Sequence, residues 1–368
     1  MAASTLDMQG KACLTVLGEA PLVAETPAHL LDDEITPTDR LFIRNNGLTP
    51  RLTGDPAAWR LGIDGEVERP IDITLGELKR RYAAVTLRLV LECGGNGRSY
   101  FTPKTKGNPW TVGGVSCAEW TGVRLADVLA DVKLKPSAIY TAHYGADPTL
   151  DGKTETPSLS RGMRIAKALE PHTLIAFTLN GRDIPAVHGG PMRLIVPGWA
   201  GSLSAKWLTR LWIRDREHDG PGMGGFSYRL PRTPIAPGSD GDPADMAILE
   251  AMPVRSILTF PQDGATLARG TRHLEVRGHA WAGDNEVASV AVSVDHGAHW
   301  KPSVLDRPAN RFAWQSFVVA LDVIPGYREI WCKATDSAGN SQPILPVNWN
   351  PQGYGANCVH RVRIFVPS

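Results

Sequence analysis

The strongest constraint on the fold is a change of pattern about two thirds of the way along the chain. From Pro231 to Pro253 the sequence is rich in Pro, Gly and Asp, which suits a linker. After it, short strand-like runs recur at residues 274–281, 287–295, 311–321, 328–336 and 360–366, with turn residues between them. Val290, Val292 and Val294 alternate with polar or small neighbours, the period of a half-buried strand. No helical stretch interrupts this part, so it is expected to form a small β-sandwich.

The first 240 residues read differently. Thr74 and Glu77 have capping-box spacing ahead of a short helix. Residues 120–132 carry Val123, Leu125, Val128 and Leu129 at helical spacing, and 159–169 predicts another modest helix. Strand-like runs lie at 87–91, 174–178 and 193–196, and Asn180-Gly181 marks a hairpin turn. Strands and short helices joined by Gly-rich loops predict an α+β domain over residues 1–240, followed by the sandwich over 250–368.

Composition excludes some functions. A formal net charge of +1 points neither to nucleic acid nor to a membrane surface, so anion binding must come from local clusters. No apolar run reaches the ~20 residues of a membrane span. The N-terminus lacks a basic stretch followed by a long apolar core; a periplasmic location is expected if a signal peptide was removed, a cytoplasmic one otherwise. Cys13, Cys93, Cys117, Cys332 and Cys358 are scattered, with no CxxC pair and no CxxCH site for covalent haem.

Three segments can carry chemistry. In the first, a strand runs into Cys93, and Gly94, Gly95, Asn96, Gly97 and Arg98 follow. Glycines in such a turn let a bulky group come close, and a nearby Arg favours the thiolate. A metal-ligating or nucleophilic thiolate is one reading; a buried Cys before a tight turn is the other. The second segment, Phe42 to Gly47, offers Arg44, Asn45 and Asn46 ahead of a turn. In the third, His188, Arg193 and Lys206 flank one strand and a Gly/Ser loop, a composition suited to phosphate but matching neither a P-loop nor a GxGxxG motif. Taken singly, the last two segments also fit surface loops and strand-end charges.

In this order, Arg44-Asn45-Asn46, Cys93 with its glycine-rich turn, His188 to Arg193, and Ser204-Ala205-Lys206 resemble the sulfite oxidase family of molybdenum enzymes, from about Leu41 to the C-terminus. The layout is closest to haem-free bacterial sulfite dehydrogenases. Residues 278–281, 294–300, 333–336 and 349–350 resemble the family's dimerisation domain. The resemblance implies a sulfite-oxidase-type molybdopterin domain, an immunoglobulin-like β-sandwich and a homodimer. It implies Cys93 as the protein ligand to molybdenum, and pterin and phosphate contacts at Phe42, Ile43, Arg44, Asn45, Asn46, Asp147, His188, Arg193, Ser204, Ala205 and Lys206. It also implies a substrate-anion cluster of Arg44 and Arg98, with Tyr228 as the active-site tyrosine.

The chain has Asn46 where the family often has His, so no proton-transfer role carries over to that position. The implied activity is oxidation of sulfite to sulfate at a molybdenum–molybdopterin centre, without haem in this chain. Electrons would go to an external acceptor such as a c-type cytochrome. The competing expectations are a nitrate or sulfoxide reductase of the same fold, and a metal-free Ig-like binding protein.

Overall fold

The computed structural model describes residue 8 and residues 10–368. Among the described residues, regular structure is mostly strand, with fewer and shorter helices than an α+β reading expects: Leu75–Arg81, Leu125–Val132 and Ile165–Ala168. The first begins where expected. Thr74 Oγ1 accepts from the Glu77 backbone N–H, and the Glu77 carboxylate accepts from the Thr74 N–H.

Two expected helices shrink. Residues 115–124 form a strand because β-branched Thr121 and Val123 pair along Ala84–Glu92, leaving helix only from Leu125. Residues 160–164 are extended instead of helical, bridging His143 to Arg161 and Tyr140 to Arg164. Helix is confined there to the single turn that follows. Among the described residues, no helix is long and apolar enough to cross a bilayer.

The first part is built on two larger sheets and a small antiparallel one of Thr15–Glu19, Leu22–Glu25 and Ile43–Arg44. One larger sheet is antiparallel and runs Arg182–Asp183, Leu174–Leu179, Val115–Arg124, Ala84–Glu92, with Arg193–Ile195 also paired to Leu174–Leu179. The hairpin joining Leu174–Leu179 to Arg182–Asp183 has Asn180 and Gly181 both at positive φ, as the Asn-Gly pair demands. The other sheet is mixed and runs Ile71–Thr74, Arg60–Gly65, Leu208–Arg214, Tyr140–Gly145. Leu61, Ile63, Leu125, Val128, Leu194 and Leu211 are among the fully buried side chains between these layers.

The C-terminal part is two sheets face to face. Arg255–Phe260, His273–Trp281, Gln315–Asp322 and Val304–Leu305 make one; Ala265–Thr266, His360–Val366, Gly326–Asp336, Val287–Ser293 and Lys301–Pro302 make the other. His360–Val366 alternates buried and exposed along its whole length. Val276, Val292, Phe317, Ile330 and Val362 fill the space between the sheets.

The stretch between the two parts is less bare than its Pro/Gly/Asp content predicts. Arg229–Pro231 pairs with Met246–Ile248, and Met246, Leu249 and Met252 are buried. These apolar residues tie the end of the linker down. The two parts also share an apolar cluster in which Leu31, Val90, Val115 and Cys117 meet Ile257, Trp281 and Trp314.

Among the ion pairs that cross this junction, one is buried on both sides. Glu92, the last residue of its strand, lies 2.7 Å from Arg255, and both side chains are buried. The other Glu92 oxygen accepts from Trp281 Nε1 at 2.7 Å, and Asn96 Nδ2 donates to the first at 3.0 Å. Arg255 in turn donates to the carbonyls of Asn96 and Ala356. Removing one member of a buried pair strands the other charge, at a cost of about 3–5 kcal/mol. Arg255→Met is therefore expected to lower the unfolding free energy by about that much in a denaturant titration; a loss below about 1 kcal/mol would show that the pair holds nothing.

Acid sensitivity follows from five buried histidines. Burial pushes His143 down to about 3, His218, His279 and His360 to about 4, and His188 well below its ordinary value. The unfolded chain takes up these protons below about pH 6.5, while the folded chain resists until far lower. Stability from these groups is therefore complete above about 6.5 and is lost as pH falls toward 4. Glu25 and Asp147, both pushed up by burial, act in the opposite sense, two against five. The melting temperature should fall steadily between pH 7 and 5, with net proton uptake on unfolding; a flat profile in that window would contradict the neutral buried histidines.

Candidate functional site

The strand Ala84–Glu92 ends at the wall of a cavity, and Cys93 is the next residue. Its backbone N–H is held by the Gly114 carbonyl at 2.8 Å, and its own carbonyl accepts from the Asn96 N–H at 2.9 Å. Asn96 also accepts from the Gly114 N–H at 3.1 Å, so its side chain links the turn to the neighbouring strand and to Glu92. Gly97 has φ +83, and a Cβ there would lie 2.6 Å from the Ala356 carbonyl, so the turn closes only with glycine. The Cys93 thiol is free and buried at the cavity edge. Cys117 and Cys332 are also free, but burial pushes both thiols up to about 12, which keeps them inert.

The cavity holds about 980 Å³ of empty space, part of it open to solvent. Phe42, Arg44, Asn45, Asn46, Asp147, His188, Arg193, Ser204, Ala205, Lys206 and Tyr228 all line it with Cys93, so residues spread over almost 190 positions converge. Two expected site residues do not line it. Ile43 turns away into a small core with Leu14, Leu22 and Ala24, because side chains alternate along the strand Ile43–Arg44. Arg98 lies behind the Cys93 turn, where it donates to the carbonyls of Gln352 at 2.7 Å and Asn108 at 3.0 Å and packs over the Tyr354 ring. Its position is fixed by chain more than 250 residues downstream, which local spacing does not reveal.

One wall gathers positive charge. Arg193 donates to the carbonyls of His188 at 2.6 Å and Ser204 at 2.9 Å, leaving its Nε buried without a partner. Burial with no opposing carboxylate pulls this guanidinium down to about 9. Lys206 donates to Asn45 Oδ1 at 2.5 Å and to the Val187 carbonyl at 2.6 Å. Burial first, and then the nearby Lys11, Lys206 and Arg193, keep His188 neutral, and its Nε2 is also unpartnered. Asp147 lines the same cavity; burial pushes its carboxyl up to about 6, against the pull of Lys206. Unpartnered buried nitrogens on His188 and Arg193, with Lys206 on the same wall, suit the oxygens of a phosphate ester.

The other end is built around Tyr228. Its ring stacks on Tyr354 with centroids 5.0 Å apart, and its hydroxyl donates to Asn46 Oδ1 at 3.4 Å. Arg161, absent from the sequence reading, also lines this end, with its guanidinium 4.7 Å from the Tyr228 ring centre. His143, Trp120 and Ser202 line the cavity too and were likewise missed. The only sequence hint for Arg161 is an Arg inside a segment that looks helical.

Among the described residues, no three His, Cys, Asp or Glu side chains converge to cage a metal. A metal at Cys93 would therefore bring most of its ligands with it, as an ion carried by an organic cofactor does.

Comparison with known proteins agrees with this geometry. Residues 46–221 match the oxidoreductase molybdopterin binding domain, and residues 246–366 match the Mo-co oxidoreductase dimerisation domain. The chain is 33% identical to mitochondrial sulfite oxidase of Macaca fascicularis over 96% of its own length and 66% of that protein's. It is 33% identical to sulfite oxidase of Gallus gallus over 95% of its length and 77% of that protein's. Nitrate reductase [NADH] 1 of Oryza sativa is 30% identical over 96% of this chain and 41% of its own. The solved structure of the sulfane dehydrogenase SoxCD from Paracoccus pantotrophus superposes with a TM-score of 0.77 at 26% identity, covering 94% of this chain and 84% of that one. With a molybdopterin-binding part, a dimerisation part and a thiol-bearing cavity in one chain, this protein belongs to the sulfite oxidase family of molybdenum enzymes.

Proposed function

We propose that the chain is a sulfite dehydrogenase that passes electrons to an external one-electron acceptor. The observation that carries this is the single cavity shared by the free Cys93 thiol, a cation-rich wall and Tyr228. Sulfite and water give sulfate, two protons and two electrons, an oxygen-atom transfer that amino-acid side chains cannot supply. A molybdenum–molybdopterin cofactor supplies that two-electron chemistry when bound, and soft thiolate ligands suit such a metal.

The residues divide the work. Cys93 holds the metal. His188, Arg193, Ser204, Ala205 and Lys206, with Phe42, Asn45, Asn46 and Asp147, hold the pterin and its phosphate. Arg44, whose guanidinium donates to the Asn45 carbonyl from inside the cavity, faces the substrate oxyanion. The Tyr228 hydroxyl positions that anion by a hydrogen bond. Arg98 supports the Cys93 turn from behind. No haem is invoked in this chain, and a c-type cytochrome suits the acceptor role.

Likeness to a structure named for sulfane dehydrogenation supports a second reading, in which the same site oxidises a sulfane sulfur. Assays with sulfite, with a sulfane-sulfur compound and, in reverse, with nitrate and a reduced dye separate these readings. The expected result is one molybdenum per protomer and sulfite-dependent reduction of cytochrome c or ferricyanide. A native preparation without metal would instead favour a binding protein. Cys93→Ser should abolish turnover while leaving the circular dichroism spectrum intact; full activity in that variant would remove Cys93 as the ligand.

The C-terminal part is proposed to make a homodimer. Ile324, Tyr327, Leu345, Val347 and Phe365 are large apolar residues left exposed on it, and Tyr327 sits directly opposite Phe365 in the strand pairing. Sedimentation at micromolar concentration should give twice the 39.8 kDa chain mass. A monomeric mass would contradict the dimer.

A further inference from the structure

We infer that Arg161 is a substrate-binding residue that grips the oxyanion through the Nε–Nη2 edge of its guanidinium. This deepens the proposed function, on which it rests for the class of substrate. Arg161 is 1% exposed. Its Nη1 is engaged, donating to the Gly222 carbonyl at 2.6 Å and lying 3.2 Å from the Met223 sulfur. Its Nε and Nη2 are buried and have no partner. Those two N–H groups point side by side from one edge of the planar group, the spacing that meets two oxygens of one anion.

The surroundings leave that edge for a ligand. No carboxylate pairs with Arg161 among the described residues, and it borders the cavity beside Tyr228. Burial lowers the affinity of the guanidinium for its proton, and the groups that oppose this most are the phenols Tyr228, Tyr140 and Tyr354, none of them a fixed negative charge. A buried, unpaired cation with two idle donors is costly to keep, and an arriving oxyanion removes that cost. The extended 160–164 segment explains the aim of the side chain, because the backbone of Arg161 is bridged to His143. Tyr228 braces the guanidinium by a cation–π contact, and both residues line the same cavity. Arg161 thus takes up the anion-facing role at the Tyr228 end that the family resemblance assigned to Arg98, whose Nε and Nη1 donate to the Gln352 and Asn108 carbonyls.

The test uses the purified holoenzyme, with sulfate as a non-reacting oxyanion and sulfite as substrate. Wild type, Arg161→Met and Arg161→Lys are compared for molybdenum content, for the rise in melting temperature with sulfate, and for KM and kcat. Sulfate should stabilise the wild type, as any ligand of the folded state does. Loss of a charge-assisted pair should weaken sulfate binding and raise KM by about 10- to 150-fold in Arg161→Met, with molybdenum content unchanged. Arg161→Lys keeps the charge but loses the two-pronged edge, and sulfate affinity should still fall about tenfold; this variant decides the matter if Arg161→Met does not fold. Sulfate stabilisation equal to wild type in either variant would overturn the inference. So would a variant that binds sulfate normally but is purified without molybdenum, which would make Arg161 a cofactor contact. If the wild type binds sulfate but does not oxidise sulfite, and the variants lose sulfate binding, the oxyanion site stands and the proposed reaction falls.

Discussion

The buried Glu92–Arg255 pair is the interaction on which the rest of the site depends. Glu92 is the residue before Cys93, and its two oxygens take Arg255, Asn96 and Trp281. Arg255 and Trp281 come from the C-terminal sheets, while Asn96 belongs to the turn that carries the thiol. The cysteine is therefore held between two parts of the chain. A buried pair of this kind is poor evidence for net stability, since desolvation consumes most of the Coulombic gain. What it secures here is geometry: the turn cannot shift without stranding a charge.

The same long-range control explains what the sequence shows and what it hides. Local signals are legible. The capping box at Thr74 and Glu77, the Asn180-Gly181 hairpin and the alternating strand His360–Val366 lie where patterning predicts them. The glycine-rich turn after Cys93 and the cation group of His188, Arg193 and Lys206 are also visible as sequence, and they line one cavity. Features set by partners far along the chain are not. Residues 120–124 have helical spacing, but pairing with Ala84–Glu92 outweighs it. Arg98 sits where expected in the sequence, yet Gln352 decides where its side chain points. Arg161 hides in a helix-like segment that two bridges to Tyr140 and His143 hold extended.

The Pro/Gly/Asp stretch shows the same limit. Its composition reads as a linker, and much of residues 232–245 is exposed. Yet Met246, Leu249 and Met252 follow within a few residues, and each is buried. Leu249 and Met252 join Ala200, Tyr228 and Tyr354 in one small cluster. The linker's end thus helps to seat Tyr228, which has a left-handed backbone at φ 49. An uncommon conformation for a bulky residue persists only when its surroundings over-determine it, and that cluster does so.

The cavity cations show how a site can be held rigid without being neutralised. Arg161, Arg193 and Arg44 all spend donors on backbone carbonyls, and Lys206 divides its own between an amide oxygen and a carbonyl. Carbonyl dipoles fix the direction of each of these arginines and leave its charge intact. A carboxylate partner would fix direction equally well but would cancel the field that an anion is meant to feel. Among the described residues lining the cavity, Asp147 is the one carboxylate, and burial already weakens its hold on negative charge. Unpartnered buried nitrogens remain at both ends, on His188 and Arg193 at one and on Arg161 at the other. A chain that keeps such groups buried accepts lower stability when empty, so binding at either end relieves strain that the fold itself maintains.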